Sequence, residues 1–214
     1  MGRAPETPVH RIDVLNPDRV LLRDTARLLK EGGVVVFPTE TFYGLGAYAF
    51  SDEALHRVYR LKGRSRHMPL LCLVDTVERV EAVASRIPAK ARSLMETFWP
   101  GPLTLVLPPK PHIPEALVGP TGGVAVRWCP HPVAEALVTL LDSPLTGTSA
   151  NVSGGPSPSQ VEDLCEPIRE GVDLILDAGP SRGGLPSTVL DCTRSRVRVL
   201  RQGAISSREL RPFL

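Results

Sequence analysis

Short apolar runs alternate with amphipathic helical patterns along nearly all of this 214-residue chain, and that alternation restricts it to an α/β architecture. Asn16-Pro17, then Val20, Leu21, Leu28 and Leu29, then Gly32-Gly33, spell an N-cap, a proline at the first helical position, an apolar stripe and a glycine stop. A strand over 34–37 follows. Ser51-Asp52-Glu53 opens a second helix, with Leu55, Val58, Tyr59 and Leu61 on its buried face and Lys62 at its C-terminal end. Beyond it the pattern predicts a strand at 70–74, helices at 77–85 and 89–98, and strands at 103–107 and 124–128. A helix at 132–141, a strand at 145–148, a helix at 160–169 and a strand at 174–177 continue it. Helices interleaved with such runs imply a sheet covered on both faces. The last two strands, 187–191 and 196–201, have no helix between them, so part of the sheet is expected to be antiparallel.

Composition narrows the class further. Apolar residues make up 42% and charged residues 22%, which excludes a disordered or fibrous chain. The length suits one domain with a full core, expected over 1–203 with its core at about 17–203, and a short tail over 204–214. A net charge of +2 gives no nucleic-acid signal by itself. The 22 prolines, about twice the usual frequency, gather at segment ends and imply stiff loops. Cys72, Cys129, Cys165 and Cys192 lie far apart with no metal spacing and read as reduced and mostly buried. No charged-then-apolar leader precedes Leu15 and no apolar run approaches ~18 residues, so a cytoplasmic protein without membrane contact is expected.

Chemistry concentrates at strand ends. The strand at 34–37 runs into Pro38-Thr39-Glu40-Thr41-Phe42-Tyr43-Gly44-Leu45-Gly46, where proline cannot serve a central ladder and hydroxyls and glycines suit a turn. Open α/β sheets place ligands at such ends. Glu40, the carboxylate of this motif, reads as a turn stabiliser rather than an acid or base. Lys62-Gly63-Arg64 with Arg66 and His67 is either a polyphosphate cradle or a solvated basic turn at a helix C-terminus. The segment 146–155, with Gly147, Ser149 and Asn151, offers neutral donors and close backbone approach, or is an ordinary Ser/Asn/Gly turn. Arg127 and Arg201 end apolar strands, as anion anchors or simply as the first solvated residues. Neither a Walker P-loop nor a dinucleotide fingerprint occurs, and the five histidines show no zinc or triad spacing.

Taken in order, 38–46, Lys62-Gly63-Arg64, Pro69-Leu70, 99–104, Val126-Arg127, Ser149-Ala150-Asn151, 186–189 and Leu200-Arg201 with Gly203 resemble the YrdC/TsaC family, the threonylcarbamoyl-adenylate synthases of tRNA modification. The resemblance runs from about Val34 to Gly203. It implies a twisted, open, mixed parallel/antiparallel sheet with flanking helices and a concave basic cavity, in the short form that lacks an extra C-terminal domain. It also implies a nucleotidyltransferase that joins L-threonine, bicarbonate or CO2 and ATP into L-threonylcarbamoyl-AMP and pyrophosphate. The product feeds N6-threonylcarbamoyladenosine formation through downstream tRNA threonylcarbamoyl transferase proteins.

By that resemblance Thr41, Arg127 and Gly147 hold L-threonine, and Lys62, Arg64, Ser149, Asn151, Ser157 and Arg201 hold ATP, with Lys62, Arg64, Ser149 and Asn151 as the catalytic set. Mg2+ accompanies the triphosphate, with no protein metal site and no organic cofactor. Met68 and Leu73 stand where the family often has a polar residue and a histidine, so ATP and threonine contacts at those two positions are not carried over, and Gln202 stands where proline is frequent. A tRNA- or double-stranded-RNA-binding module without turnover is the alternative, against which aromatics are sparse. A hydrogenase-maturation type of carbamoyl-adenylate domain would need length and cysteine pairs that this chain lacks.

Overall fold

Residues 6–65 and 68–214 are described by the computed structural model, so Arg66 and His67 of the basic cluster lie outside the described residues. In chain order the elements are β1 (Val9–Arg11), α1 (Arg19–Lys30), β2 (Val34–Phe37), β3 (Gly44–Ala47), α2 (Asp52–Lys62) and β4 (Cys72–Val74). There follow α3 (Ala89–Phe98), β5 (Leu103–Leu107), β6 (Val124–Trp128), α4 (Pro132–Leu141), β7 (Leu145–Thr146) and β8 (Thr148–Ser149). The chain finishes with α5 (Glu166–Gly171), β9 (Leu174–Asp177), β10 (Thr188–Asp191), β11 (Arg198–Arg201) and α6 (Ser207–Leu210).

The mixed, open architecture expected from the sequence is present, but its strands divide between two sheets. One has the order β1-β9-β2-β3-β8 and the other β11-β10-β5-β6-β4-β7. β1, β9 and β2 run parallel, and β3 turns back antiparallel to β2 in a hairpin pairing Phe37 with Gly44. In the second sheet β10 is parallel to β5 and β4 to β6, while β11, β7 and the β5–β6 pair are antiparallel. The sheets meet where Tyr48 bridges Leu145 and the buried Thr146 hydroxyl accepts from Ala47 N at 2.9 Å and donates to Ala47 O at 3.2 Å. At Gly147 the chain leaves the second sheet as β7 and enters the first as β8. The site forms at this crossing.

β2 is buried throughout, and its alternate residues feed two apolar clusters. Val35 and Phe37 pack with Leu22, Ala26 and Leu29 of α1 and Val133, Leu137 and Leu141 of α4. Val34 and Val36 face the cluster that contains Leu55 and Val58 of α2, Leu94 of α3 and Ile168 of α5. Leu210 of α6 is also buried in that second cluster, so part of the expected tail packs on the domain.

Several expected boundaries move for identifiable reasons. α1 is capped by Asp18 rather than Asn16, because one Asp18 oxygen accepts from both Val20 N at 2.8 Å and Leu21 N at 3.2 Å. The expected helix at 77–85 is a 3-10 turn, Glu78–Ala82, whose Arg79 bonds to Asp75 and Asp142. The expected helix at 160–169 breaks into a 3-10 turn, Val161–Asp163, and α5, with Pro167 in the first turn of α5 where its missing N–H costs nothing. Helices over 89–98 and 132–141 and the strand at 174–177 stand as read.

Candidate active site at the junction of the two sheets

A cavity of about 540 Å³ opens between the β2–β3 hairpin, the β7–β8 crossing and the ends of β6, β10 and β11. Its size falls within the range of small-molecule sites. Of the residues singled out by sequence, Thr41, Arg64, Arg127, Gly147, Ser149, Ser157 and Arg201 line it. Lys62 and Asn151 stand one layer behind.

The hairpin turn is braced by Thr39, whose hydroxyl donates to Phe42 O at 2.5 Å and accepts from Phe42 N at 3.3 Å. Glu40 does something else: its carboxylate forms an ion pair with Arg127, and its second oxygen accepts the Cys129 thiol proton at 3.0 Å. The reading of Glu40 as turn stabiliser is therefore corrected, since Thr39 fills that role. Tyr43, fully buried, donates its hydroxyl to Gly179 O at 2.7 Å and accepts from Ala178 N at 3.0 Å, tying the hairpin to the segment that enters the cavity rim at Gly184 and Pro186. Burial is the first cause that pushes its phenol up to about 12.

Three guanidinium groups approach the cavity from three elements. Arg64 follows the left-handed Gly63 cap of α2 (φ 55°), a conformation that glycine adopts without a Cβ penalty, and bonds to Met68 O and Pro69 O at 3.0 Å each. Arg127 is 7% exposed and donates from Nε to Gly101 O at 3.1 Å, so it is not the solvated strand end that its position allowed. Arg201, exposed at the rim, donates through Nε and Nη2 to Ser187 O at 3.1 and 2.8 Å and through Nη2 to Ser187 Oγ at 3.0 Å. Burial lowers the pKa of all three arginines, and the positive charge of Arg201 lowers those of Arg64 and Arg127 further. An anion entering the cavity relieves this mutual repulsion.

Behind Ser149 lies a buried cation. Lys62 is 1% exposed, and its ammonium donates to Ser149 O, to Asn151 O at 2.7 Å and toward Asn151 Oδ1 at 3.4 Å. Ser149 Oγ in turn donates to Asn151 Oδ1, while Asn151 Nδ2 donates to Val152 O at 2.9 Å and Gly155 O at 2.7 Å. Burial first, and the charge of Arg64 second, push the Lys62 ammonium down to about 8. Lys62 thus shapes the segment 149–155 from beneath, and its charge reaches the cavity through Ser149.

Sequence reasoning assigned no role to several residues of this site. Thr104 and Ser187 share a hydrogen bond of 2.9 Å behind Arg201, both lying in quoted motifs. Cys129, read with the other cysteines as reduced and mostly buried, shares with Ala125 and Arg127 the cavity-facing side of β6 and its continuation. Period-two alternation from Arg127 was the signal that could have found it. Burial pushes its thiol up to about 11. Leu73 packs under Gly147, where a Cβ would meet the Leu73 side chain at 2.7 Å, whereas Met68 is half exposed and its carbonyl accepts from Arg64 Nε and from the Tyr59 hydroxyl. Gly147→Ala is accordingly expected to cost about 1–3 kcal/mol of stability by overpacking, read as a lower denaturant midpoint at unchanged slope.

Among the described residues no group of three or more His, Cys, Asp or Glu side chains could hold a metal ion, and no helix is long and apolar enough to cross a membrane. The family model described as telomere recombination, Sua5/YciO/YrdC, matches residues 27–203. The chain belongs to the Sua5/YciO/YrdC family. It is 40% identical over 189 residues to a threonylcarbamoyl-AMP synthase of Pyrococcus abyssi, covering 88% of this chain and 56% of that one. It is 39% identical over 201 residues to one of Bacillus subtilis, covering 92% and 58%. A crystal structure of P. abyssi Sua5 complexed with L-threonine superposes with a TM-score of 0.90 at 36% identity, covering 97% of this chain and 61% of that one. The chain thus spans less than two thirds of the length of these relatives. The residues that line the cavity, from Thr39 to Arg201, all lie within the 27–203 span that the family model matches.

Proposed function

We propose that the cavity forms L-threonylcarbamoyl-AMP and pyrophosphate from L-threonine, bicarbonate or CO2, and ATP. The observation that carries this reading is the convergence of Arg64, Arg127 and Arg201 on one small-molecule cavity floored by Ser149 and Gly147. Support comes from the threonylcarbamoyl-AMP synthases among the relatives and from the related protein that binds L-threonine.

In this reading Arg127 takes the threonine carboxylate, with Thr41 and the close backbone approach at Gly147 beside it. Arg64, Arg201, Ser149 and Ser157 face the phosphates, with Lys62 and Asn151 holding Ser149 in place. The threonine amine attacks CO2, forming the N–C bond and releasing one proton to solvent. A carbamate oxygen then attacks the α-phosphorus as the bond to the β-phosphate oxygen breaks and pyrophosphate leaves. Neither step asks for an acid or base of unusual strength, so orientation and charge stabilisation account for the acceleration. The cationic wall does not fit a magnesium site of the protein's own; Mg2+ belongs to the triphosphate as it arrives. The product supplies a transferase that modifies tRNA.

Pyrophosphate release from ATP, with L-threonine and bicarbonate each omitted in turn, tests the reading. Release is expected only with both present. Release indifferent to both omissions, or steeply salt-dependent RNA binding without nucleotide turnover, overturns it.

A further inference from the structure

We infer that Glu40 is a positioning residue: it fixes the plane of the Arg127 guanidinium from behind the cavity wall and thereby sets the affinity for the carboxylate of the amino-acid substrate. This inference rests on the reading of Arg127 as the carboxylate anchor.

The placement is specific. Glu40 belongs to the β2–β3 turn, 87 positions from Arg127 along the sequence, and it does not line the cavity although Thr39 and Thr41 on either side do. Its side chain turns instead toward β6 and its continuation. There one carboxylate oxygen pairs with Arg127 Nη2 and the other accepts from Cys129 Sγ at 3.0 Å. Arg127 Nε is held separately by Gly101 O at 3.1 Å. The guanidinium is planar and its donors form a rigid fork, so two fixed partners, one on Nε and one on Nη2, define the orientation of the whole group. Among the described residues Nη1 has no hydrogen-bond partner, which leaves its donors for a ligand arriving from the cavity.

Two physical arguments favour support over competition. The Arg127 side chain is 9% exposed, and a guanidinium so far from water needs a permanent counter-charge to be kept in the fold. A competitor would have to give up both the Arg127 ion pair and the Cys129 thiol before substrate could bind. A partner that bonds from the protein side, while the ligand meets the opposite edge, avoids that cost. This is the relation by which outer groups orient the inner ligands of metal sites, where their loss costs about 10–100-fold in affinity.

Glu40→Gln carries the test, because it keeps the shape and removes the charge, whereas Glu40→Ala strands a buried guanidinium and endangers the fold. L-Threonine binding is measured by calorimetry on the full chain, beside steady-state kinetics and the exchange rate of the Arg127 Nε–H proton by NMR. Glu40→Gln is expected to weaken L-threonine about tenfold in both Kd and KM, with kcat and the KM for ATP within about twofold, and to speed Nε–H exchange. Glu40→Asp, which restores the charge one methylene short, is expected to fall between wild type and Glu40→Gln. Unchanged or tighter threonine binding, or a loss confined to kcat or to the KM for ATP, overturns the inference. If the wild-type chain binds no L-threonine, the functional reading fails by itself. The Nε–H exchange rate still decides about Glu40 in that case, since an unchanged rate in Glu40→Gln removes its positioning role.

Discussion

Arg127→Ala raises the KM for L-threonine by about two to three orders of magnitude and moves the KM for ATP by less than about threefold, if the cavity works as proposed. The size follows from burial. Arg127 is 7% exposed, so a carboxylate bonded to it loses the partner where water cannot replace it. Truncating one member of a desolvated, hydrogen-bonded charge pair costs about 2–5 kcal/mol. The substitution also strands Glu40 beneath the wall, and the unpaired carboxylate is expected to lower stability by about 3–5 kcal/mol. Because such a loss by itself could depress activity, Arg127→Lys is the companion. It keeps a positive charge but cannot bond Gly101, Glu40 and a ligand in one plane, so it is expected to retain stability better than alanine while still losing threonine affinity at least tenfold. Stability is read by denaturant unfolding and affinity by titration with L-threonine. Wild-type threonine affinity in both variants would remove Arg127 from the substrate site.

That site was legible in the sequence to the extent that its residues sit at the ends of regular elements. Ser51 and Gly63 bracket α2 as a cap and a left-handed stop, which fixed Lys62 at the last turn and Arg64 just beyond it. Arg127 stood out because a charge interrupts an apolar strand. What stayed hidden depends on contacts between distant segments. No periodicity reveals that Gly147 carries the chain from one sheet to the other, since Leu145-Thr146 and Thr148-Ser149 read as one continuous strand. Glu40 looked like a turn residue because its partners, Arg127 and Cys129, lie 87 and 89 positions away. β1 was missed for the same reason: its three residues are exposed and become a strand only by pairing with β9. Motif order could place Lys62 at the site but could not say on which side of the wall it stands.

The placement of Lys62 gives the second large effect. Its ammonium is enclosed and directed at Ser149 O and Asn151 O, with Asn151 Oδ1 at 3.4 Å. Lys62→Met keeps much of the volume and removes the donors; Ser149 O keeps its bond from Asn151 N at 2.9 Å and Asn151 Oδ1 keeps that from Ser149 Oγ, so the loss falls on the Asn151 carbonyl, at about 1–3 kcal/mol. The segment 149–155 then loses its anchor, and kcat is expected to fall about 10²–10³-fold as Ser149 leaves its position and the positive field behind it disappears. Faster amide exchange confined to 149–155 would report the loosened segment. A pH series separates charge from packing. In the folded chain the Lys62 ammonium deprotonates at about 8, below its ordinary value of 10.5. Below about 8 both folded and unfolded chains hold the proton, so this group makes no pH-dependent contribution to stability there. Between about 8 and 10.5 the unfolded chain binds more protons than the folded one, and the contribution of Lys62 to stability therefore rises with pH. With the charged form as the working one in the proposed reaction, activity moves the other way: kcat/KM for ATP, which reports the free enzyme, is expected to fall with a limb near pH 8. Opposite slopes of stability and activity across one pH window are the signature of a buried cation kept charged for function, and Lys62→Met should abolish both. A kcat/KM profile that stays flat through pH 9 in the wild type would show that the Lys62 charge does not act on the reaction.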